Sequence, residues 1–261
     1  MRRALSFLVP LLVGVCALVL WEVLVRALHV SPIVLPPPSA IWAAFIAQFG
    51  QLMAALWTTL RISVAAFVLA VAGGVLLAVL FSQSRMIERA FYPYAVILQV
   101  TPIVAIAPIV TIWIGYERID LVLLILAVIV AFFPVLASTT LGLRSADHNL
   151  RDLFRLYGAS RWQILWKLQL PTALPHLLSA MKVSGGLALI GVVVAEFAAG
   201  SGTATGLAWT ITLATRELHI ATAFAALVLL SLLGILIFFA LAGLEWALLR
   251  RWHESAVRRE G

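Results

Sequence analysis

Apolar residues in this chain come in long unbroken blocks, with little strict alternation. Uncharged runs cover Ala4–Trp21 (18 residues), Ile62–Ser84 (23), Ala90–Tyr116 (27), Leu121–Leu143 (23) and Leu218–Leu244 (27). A helix needs about 20 mostly apolar residues to cross the hydrocarbon core of a bilayer. A sixth stretch, His176 to Ala199, is apolar but carries Lys182 and Glu196. The pattern predicts an all-α polytopic membrane protein with six transmembrane helices. They are placed near 5–27, 60–82, 94–115, 120–142, 176–199 and 221–248.

The segment 28–59 is nearly uncharged, yet Ser31, Pro32 and Pro36–Pro38 interrupt it. A triple proline favours an extended backbone and stops a helix. Ser39 then reads as a helix N-cap. Trp42, Phe45, Phe49 and Leu52 follow at helical spacing, which predicts a helix over about 39–55. That helix either lies in the membrane interface with its aromatics at headgroup level or packs on the spans, and the two readings are compatible. Arg2 and Arg3 precede the first span as in a signal peptide. Its apolar run is too long for one, and Glu22 and Arg26 follow where a small-residue cleavage site would stand, so it is expected to remain as a span.

Composition sharpens this picture. The chain of 261 residues is 64% hydrophobic and 11% charged, with mean hydropathy +1.10. Soluble domains run near 45–50% apolar and about 25% charged. A soluble enzyme, a disordered chain and a DNA-binding domain are therefore excluded. The lone cysteine, Cys16, rules out a disulfide framework and a cysteine-ligated metal site within one chain. No metal or cofactor site is expected. The net charge of +7 is explained by topology. With the N-terminus inside, 14 of the 18 Lys and Arg fall on the inner side; only Arg26, Arg61, Arg118 and Arg216 fall outside. Both termini are then cytoplasmic, and no nucleic-acid partner is needed.

The most informative polar stretch is the inner loop, about 144–175, between the fourth and fifth spans. Leu150, Leu153, Phe154 and Tyr157 fall at i, i+3, i+4 and i+7, an apolar helical stripe. Arg151, Asp152 and Arg155 face away from it. Asp147 is placed to cap this helix and Gly158 to end it. Ser160 with Gln163 makes a capping-box pattern for a second short helix. Pro171 is expected to stop that helix and Pro175 to lead into the fifth span. The stripe either packs back on the protein's own spans or docks a cytoplasmic partner.

The run Asp152-Leu-Phe-Arg-Leu-Tyr-Gly-Ala-Ser-Arg-Trp-Gln-Ile-Leu-Trp-Lys-Leu-Gln-Leu-Pro171 resembles the "EAA" loop of permease subunits of bacterial ABC importers. Gly158, Leu170 and Pro171 match that family's pattern at its spacing. Leu168 takes the Ile position and Asp152 the Glu position. Leu153 and Phe154 replace two alanines, a departure that puts bulkier side chains at that turn. Leu35-Pro-Pro-Pro-Ser39, Thr101-Pro-Ile-Val-Ala-Ile-Ala-Pro108 and Ala195-Glu-Phe with Gly206-Leu resemble the nitrate/sulfonate/taurine branch. Asp152–Gln163, Val194–Gly202 and Arg250-Arg-Trp-His-Glu254 are more similar to the subgroup importing thiamine-pyrimidine precursors or riboflavin.

The resemblance implies a single permease domain over 1–261 with the type I, methionine-importer-like fold, in a bacterial inner membrane. It implies a second permease chain, either a homodimer partner or a paralogue. It further implies cytoplasmic ABC ATPases docking on the loop, and an extracytoplasmic solute-binding protein. Asp152, Leu153, Phe154, Tyr157, Gly158, Ala159, Ser160, Leu170 and Pro171 would form the coupling element. The chain lacks a Gly-x-x-x-x-Gly-Lys-Ser/Thr phosphate loop. It is therefore not expected to be an enzyme, and ATP hydrolysis is assigned to another subunit.

Polar groups within spans mark candidate pathways. Gln99 and Thr101 in the third span, Ser138, Thr139 and Thr140 in the fourth, and Ser184 and Glu196 in the fifth qualify. Each Ser or Thr has the alternative of bonding its own helix carbonyls. Glu196 reads either as a gate-side residue or as an interfacial one. Lys182 should snorkel inward. Gly185 and Gly186 are read as close-packing sites. Gly200–Gly206 reads as a bend or re-entrant turn, and the outer segment 203–218 as a surface for the binding protein. Two rival functions remain: an ion-coupled secondary transporter, and a structural subunit without a pathway. The solute is left open.

Overall fold

The computed structural model describes residues 2–199 and 206–250, with side chains assigned at Val9 and from Leu12 onward. The helices are α1 (Arg2–Ala27), α2 (Pro38–Ala47), α3 (Phe49–Gln83), α4 (Arg85–Val100), α5 (Ile103–Ile114), α6 (Ile119–Arg144), α7 (His148–Leu156), α8 (Arg161–Ile164), α9 (Leu170–Ala199), α10 (Leu207–Arg216) and α11 (Ile220–Leu249). A 3-10 turn, Tyr116–Arg118, leads into α6, and a π-helical turn, Leu165–Gln169, joins α8 to α9. There is no strand among the described residues.

Among the described residues, four continuous helical stretches are long and apolar enough to cross a membrane: Phe49–Gln83, Tyr116–Arg144, Arg161–Ala199 and Ile220–Leu249. The third span, expected near 94–115, is not one continuous helix. It is a broken pair, α4 and α5, bent by 102° at Thr101–Pro102. Pro102 has no N–H to continue the ladder, and the residue before a proline is driven to extended backbone. Thr101 sits at φ −71°, ψ 124°, and its hydroxyl donates to the Ile97 carbonyl at 2.7 Å, closing the end of α4. α1 has 26 helical residues.

Two compact units are present. The first holds α1, α2, the start of α3 to Thr58, α10 and α11 as far as Ser231. Its core is Ile41, Leu52, Ala55, Leu207, Ala225 and Ala226, with Trp21 and Phe224 packed against it. The expected helix 39–55 is corrected: α2 ends at Ala47, the chain breaks at Gln48, and the last part of the segment opens α3. Ser39 is also not the N-cap. Pro37 is, and Pro38 takes the first helical position, where its missing N–H costs nothing. The Glu22 carboxylate of α1 accepts the Ser39 N–H at 3.0 Å and its hydroxyl at 2.8 Å, so a neighbouring helix caps α2. Trp42, Phe45 and Phe49 form a ring ladder with centroids 5.4 and 5.5 Å apart; Trp42 and Phe49 remain exposed.

The second unit holds the rest of α3, α4 to α9, and α11 from Leu232. α6 is its central helix, with Val122, Leu123, Leu126, Ala127, Ala131, Val135, Leu136 and Leu143 fully buried. Leu121 and Leu141 near its two ends are exposed, and its buried side is apolar as far as Leu136. α9 lies against it through small residues. A Cβ on Gly191 would stand 2.8 Å from the Ala127 Cα, and one on Gly142 would stand 2.9 Å from the Ala173 Cα. Glycine is required where two backbones come this close. Gly185 is met by the end of the Leu241 side chain of α11, with no backbone contact there, whereas Gly186 has open space around it. Ion pairs Arg61–Asp120, Glu88–Arg144 and Lys182–Glu245 tie α3 to α6, α4 to α6 and α9 to α11. Lys182 therefore has a carboxylate at 2.5 Å, a partner that sequence reasoning missed because it lies on α11, 63 positions along the chain.

Candidate functional site

The loop after α6 is built from local rules. Asp147 accepts the N–H groups of Asn149 at 2.7 Å and Leu150 at 3.4 Å, capping α7. Gly158 takes φ +70°, the left-handed region open to glycine. The Gly158 N–H then donates to the Arg155 carbonyl at 2.9 Å and the Ala159 N–H to the Phe154 carbonyl at 2.9 Å. This is the Schellman bond pair, which satisfies carbonyls a helix end leaves open. Its accompanying apolar contact is present: Phe154 and Ala159 pack together against Ala146, Ile164 and Leu168. The Ser160 hydroxyl accepts the Gln163 N–H at 3.3 Å while Gln163 accepts the Ser160 N–H at 2.7 Å, the reciprocal capping box at the start of α8.

The expected stop at Pro171 is corrected. The helix passes through the π turn into α9, and both Pro171 and Pro175 lie within that continuous stretch. A proline inside a helix loses its own bond and crowds the carbonyl four residues back. The π turn bonds the Leu170 N–H to the Leu165 carbonyl, one residue further than an α-turn. That wider turn is what admits Pro171 immediately after it. Gln169, which sequence reasoning passed over, is buried there and donates to the Leu143 carbonyl at 3.2 Å, fixing the turn to α6. A lone amide between Leu168 and Leu170 was the available signal.

The apolar stripe divides. Phe154 turns inward to the cluster just described, while Leu150 and Leu153 are exposed. Leu156 and Tyr157 stand 84% and 83% exposed at the end of α7. Leu156 lies off the i, i+3, i+4, i+7 pattern, which is why the stripe did not include it. Asp152 pairs with Arg155 at 3.3 Å on the exposed side. Ser160 is exposed, Ala159 is half-buried, and Leu170 and Pro171 are half-buried at the head of α9.

The pathway candidates scatter. Gln99 and Thr101 line one cavity of about 340 Å³ at the α4–α5 bend, closed by Ile103, Val130, Pro134 and Leu187. The others are placed differently. Ser138 donates to the His176 carbonyl at 3.0 Å and Ser184 to the Ala131 carbonyl at 2.7 Å, both across the α6–α9 contact. Thr140 bonds its own helix at Leu136. Thr139 is buried in α6. Glu196 is fully buried and accepts a bond from the Thr59 hydroxyl at 3.3 Å. The expected turn at residues 200–205 and the basic stretch from 251 lie outside the described residues. No cluster of His, Cys, Asp and Glu able to hold a metal occurs among the described residues.

Residues 70–245 match the family described as binding-protein-dependent transport system inner membrane component, and the chain belongs to it. The chain is 33% identical to the formylaminopyrimidine transport permease protein ThiX of Halalkalibacterium halodurans, over 95% of this chain and 98% of that one. It is 35% identical to the riboflavin transport system permease protein RibX of Chloroflexus aurantiacus, over 66% of this chain and 62% of that one. It is 28% identical to the taurine transport system permease protein TauC of Escherichia coli, over 97% and 93%. The inward-facing MetNI methionine ABC transporter shares the fold, with a TM-score of 0.66 at 20% identity, over 77% of this chain and 97% of that one. The chain is thus a transmembrane permease subunit of an ABC importer with the type I fold.

Proposed function

We propose that α7 is the coupling helix through which a separate cytoplasmic ATPase moves this permease. The observation that carries it is the exposure of Leu153, Leu156 and Tyr157 on a helix that Phe154 anchors to the apolar cluster beneath it. Large apolar side chains held rigidly in solvent fit a partner's groove, with a few of them as anchors. Gly158, Ala159 and Ser160 set the angle of the helix, and Gln169, Leu170 and Pro171 carry its displacement into α9. Asp152 and Arg155 flank the contact. In this reading ATP is hydrolysed by the partner and the permease supplies the pathway. The cavity at Gln99 and Thr101 is its best-formed polar segment. Ser138, Ser184 and Glu196 act as ties between helices, which is a different role from lining; the Thr139 hydroxyl is buried in α6 with no hydrogen-bond partner among the described residues.

The whole chain works as one permease domain of six spans in a bacterial inner membrane, with both termini cytoplasmic. A second copy completes the pathway, and an outer binding protein delivers the solute. The solute belongs with those named for its relatives, small organic molecules such as pyrimidine precursors, riboflavin or taurine.

Co-purification with the cognate ATPase tests the dock. Tyr157→Ala combined with Leu156→Ser should lose the ATPase while the membrane domain keeps its thermal transition. Unchanged co-purification overturns the assignment. Uptake into vesicles driven by an ion gradient with the ATPase absent would replace the whole reading with a secondary transporter.

A further inference from the structure

Beside α7, and lined by neither Leu156 nor Tyr157, lie two cavities of about 620 and 570 Å³. Both are lined by Ser82, Arg85, Arg151 and Gln169, so they form one cleft between the end of α3, the start of α4 and α7. Arg85, Arg89, Arg144, Arg151, Arg155 and Arg161 face it against a single lining carboxylate, Glu88. Glu88 is engaged by Arg144, and Arg155 pairs with Asp152. Arg85, Arg89, Arg151 and Arg161 make no ion pair among the described residues. Two buried nitrogens of Arg151, Nε and Nη2, have no hydrogen-bond partner there.

A buried guanidinium N–H without an acceptor carries a full desolvation cost. Three further arginines without an ion pair, Arg85, Arg89 and Arg161, add mutual repulsion within the cleft. An anion relieves both at once. The Nε and Nη2 edge of arginine is a fork that matches two oxygens of an oxyanion. A carboxylate offers two oxygens and one charge. A phosphate offers oxygens in a tetrahedral array, enough to serve several forks together. Phe81, Tyr92 and Pro93 give the cleft an apolar wall, and Phe91 and Tyr94 of α4 are exposed beyond it. Basic clefts of this kind between membrane helices suit phosphorylated headgroups.

We infer that this arginine cleft binds a phosphate group, supplied by an anionic phospholipid headgroup or by a free phosphate compound. The inference does not depend on α7 being an ATPase dock. It uses none of the exposed apolar residues, and Arg85 and Arg151, which its test varies, are not among the residues assigned to the dock.

The test uses the full chain. Binding of inorganic phosphate is measured by equilibrium dialysis in detergent. Retained phospholipid is measured by mass spectrometry after extraction from nanodiscs of phosphatidylcholine, with and without phosphatidylglycerol. Arg151→Gln and Arg85→Gln should each weaken binding by about tenfold or more, the effect of losing a charge-assisted bond. Arg151→Lys, which keeps charge but loses the fork, should fall between. Arg85 is exposed, so its variant keeps the test alive if Arg151→Gln does not fold. Phosphatidylglycerol retained against excess phosphate identifies the lipid source; displacement by phosphate identifies the free one. Equal binding by wild type and variants, or equal protection by chloride, overturns the inference as an adventitious ion only. Loss of ATPase co-purification with phosphate and lipid binding unchanged also overturns it, making the cleft a dock for acidic side chains.

Discussion

At Gly158 the positive φ, the Schellman bonds and the Phe154–Ala159 contact all depend on one missing Cβ. Any L side chain there pays about 1 kcal/mol for the left-handed conformation. Space is not the obstacle, since nothing lies within 4 Å of a Cβ at this position. Gly158→Ala should therefore lower the thermal transition only slightly, while reducing ATPase-coupled uptake more than binding-protein affinity. Gly158→Asn, which tolerates the same backbone region, should retain more uptake than Gly158→Ala. Equal losses for the two would mean that bulk, not backbone, is what this position excludes. The caps of the inner loop at Asp147 and Ser160 and the glycine turn were legible from sequence because each is a contact over two to five residues. Lys182–Glu245 and Glu22–Ser39 were not legible, because pairing across helices is set by packing that no local window contains.

At the scale of helices, hydropathy marked the apolar blocks well and their continuity poorly. From sequence, Pro171 reads as a stop and the third span carries across Pro102, yet a proline breaks a helix only when nothing relieves it. At Thr101–Pro102 no wider turn intervenes, and the span bends by 102°. At Pro171 the preceding π turn absorbs the defect, and the helix runs on. Sequence gives the proline but not the turn before it. The α6–α9 contact is similarly hidden, since a glycine in an apolar run can face lipid or a neighbouring backbone. Gly191 faces a backbone and Gly186 open space, which separates them by experiment. Gly191→Val should destabilise the protein by about 1–3 kcal/mol through overpacking. Gly186→Val should be near neutral in the same thermal-unfolding assay. Similar losses at both sites would contradict the 2.8 Å approach to Ala127. The Lys182–Glu245 pair makes a complementary case. Lys182→Glu alone leaves like charges facing each other in a half-buried site, and adding Glu245→Lys should restore expression. Failure of the double variant to recover would assign the loss to Lys182 packing alone.

For the whole molecule, orientation rests on the distribution of 14 inner and 4 outer basic residues, and the ion pairs agree with it. Arg61 and Asp120 are both placed outside by that topology, and they meet. Glu88 and Arg144 are both placed inside, and they meet as well. Such pairs fix the order of crossings but not which face is cytoplasmic. Cysteine labelling decides that. Cys16 is the only cysteine, so Cys16→Ser gives a silent background. Leu156→Cys marks the exposed end of α7, and Glu217→Cys marks the exposed turn between α10 and α11. A membrane-impermeant maleimide should label Leu156→Cys only in inverted vesicles and Glu217→Cys only in right-side-out ones. Adding the cognate ATPase to inverted vesicles should slow labelling at Leu156→Cys, because docking covers that side chain. Labelling of Leu156→Cys from outside would invert the topology and remove any cytoplasmic ATPase from reach of α7. Correct sidedness without protection would keep the topology and move the dock elsewhere on the same face.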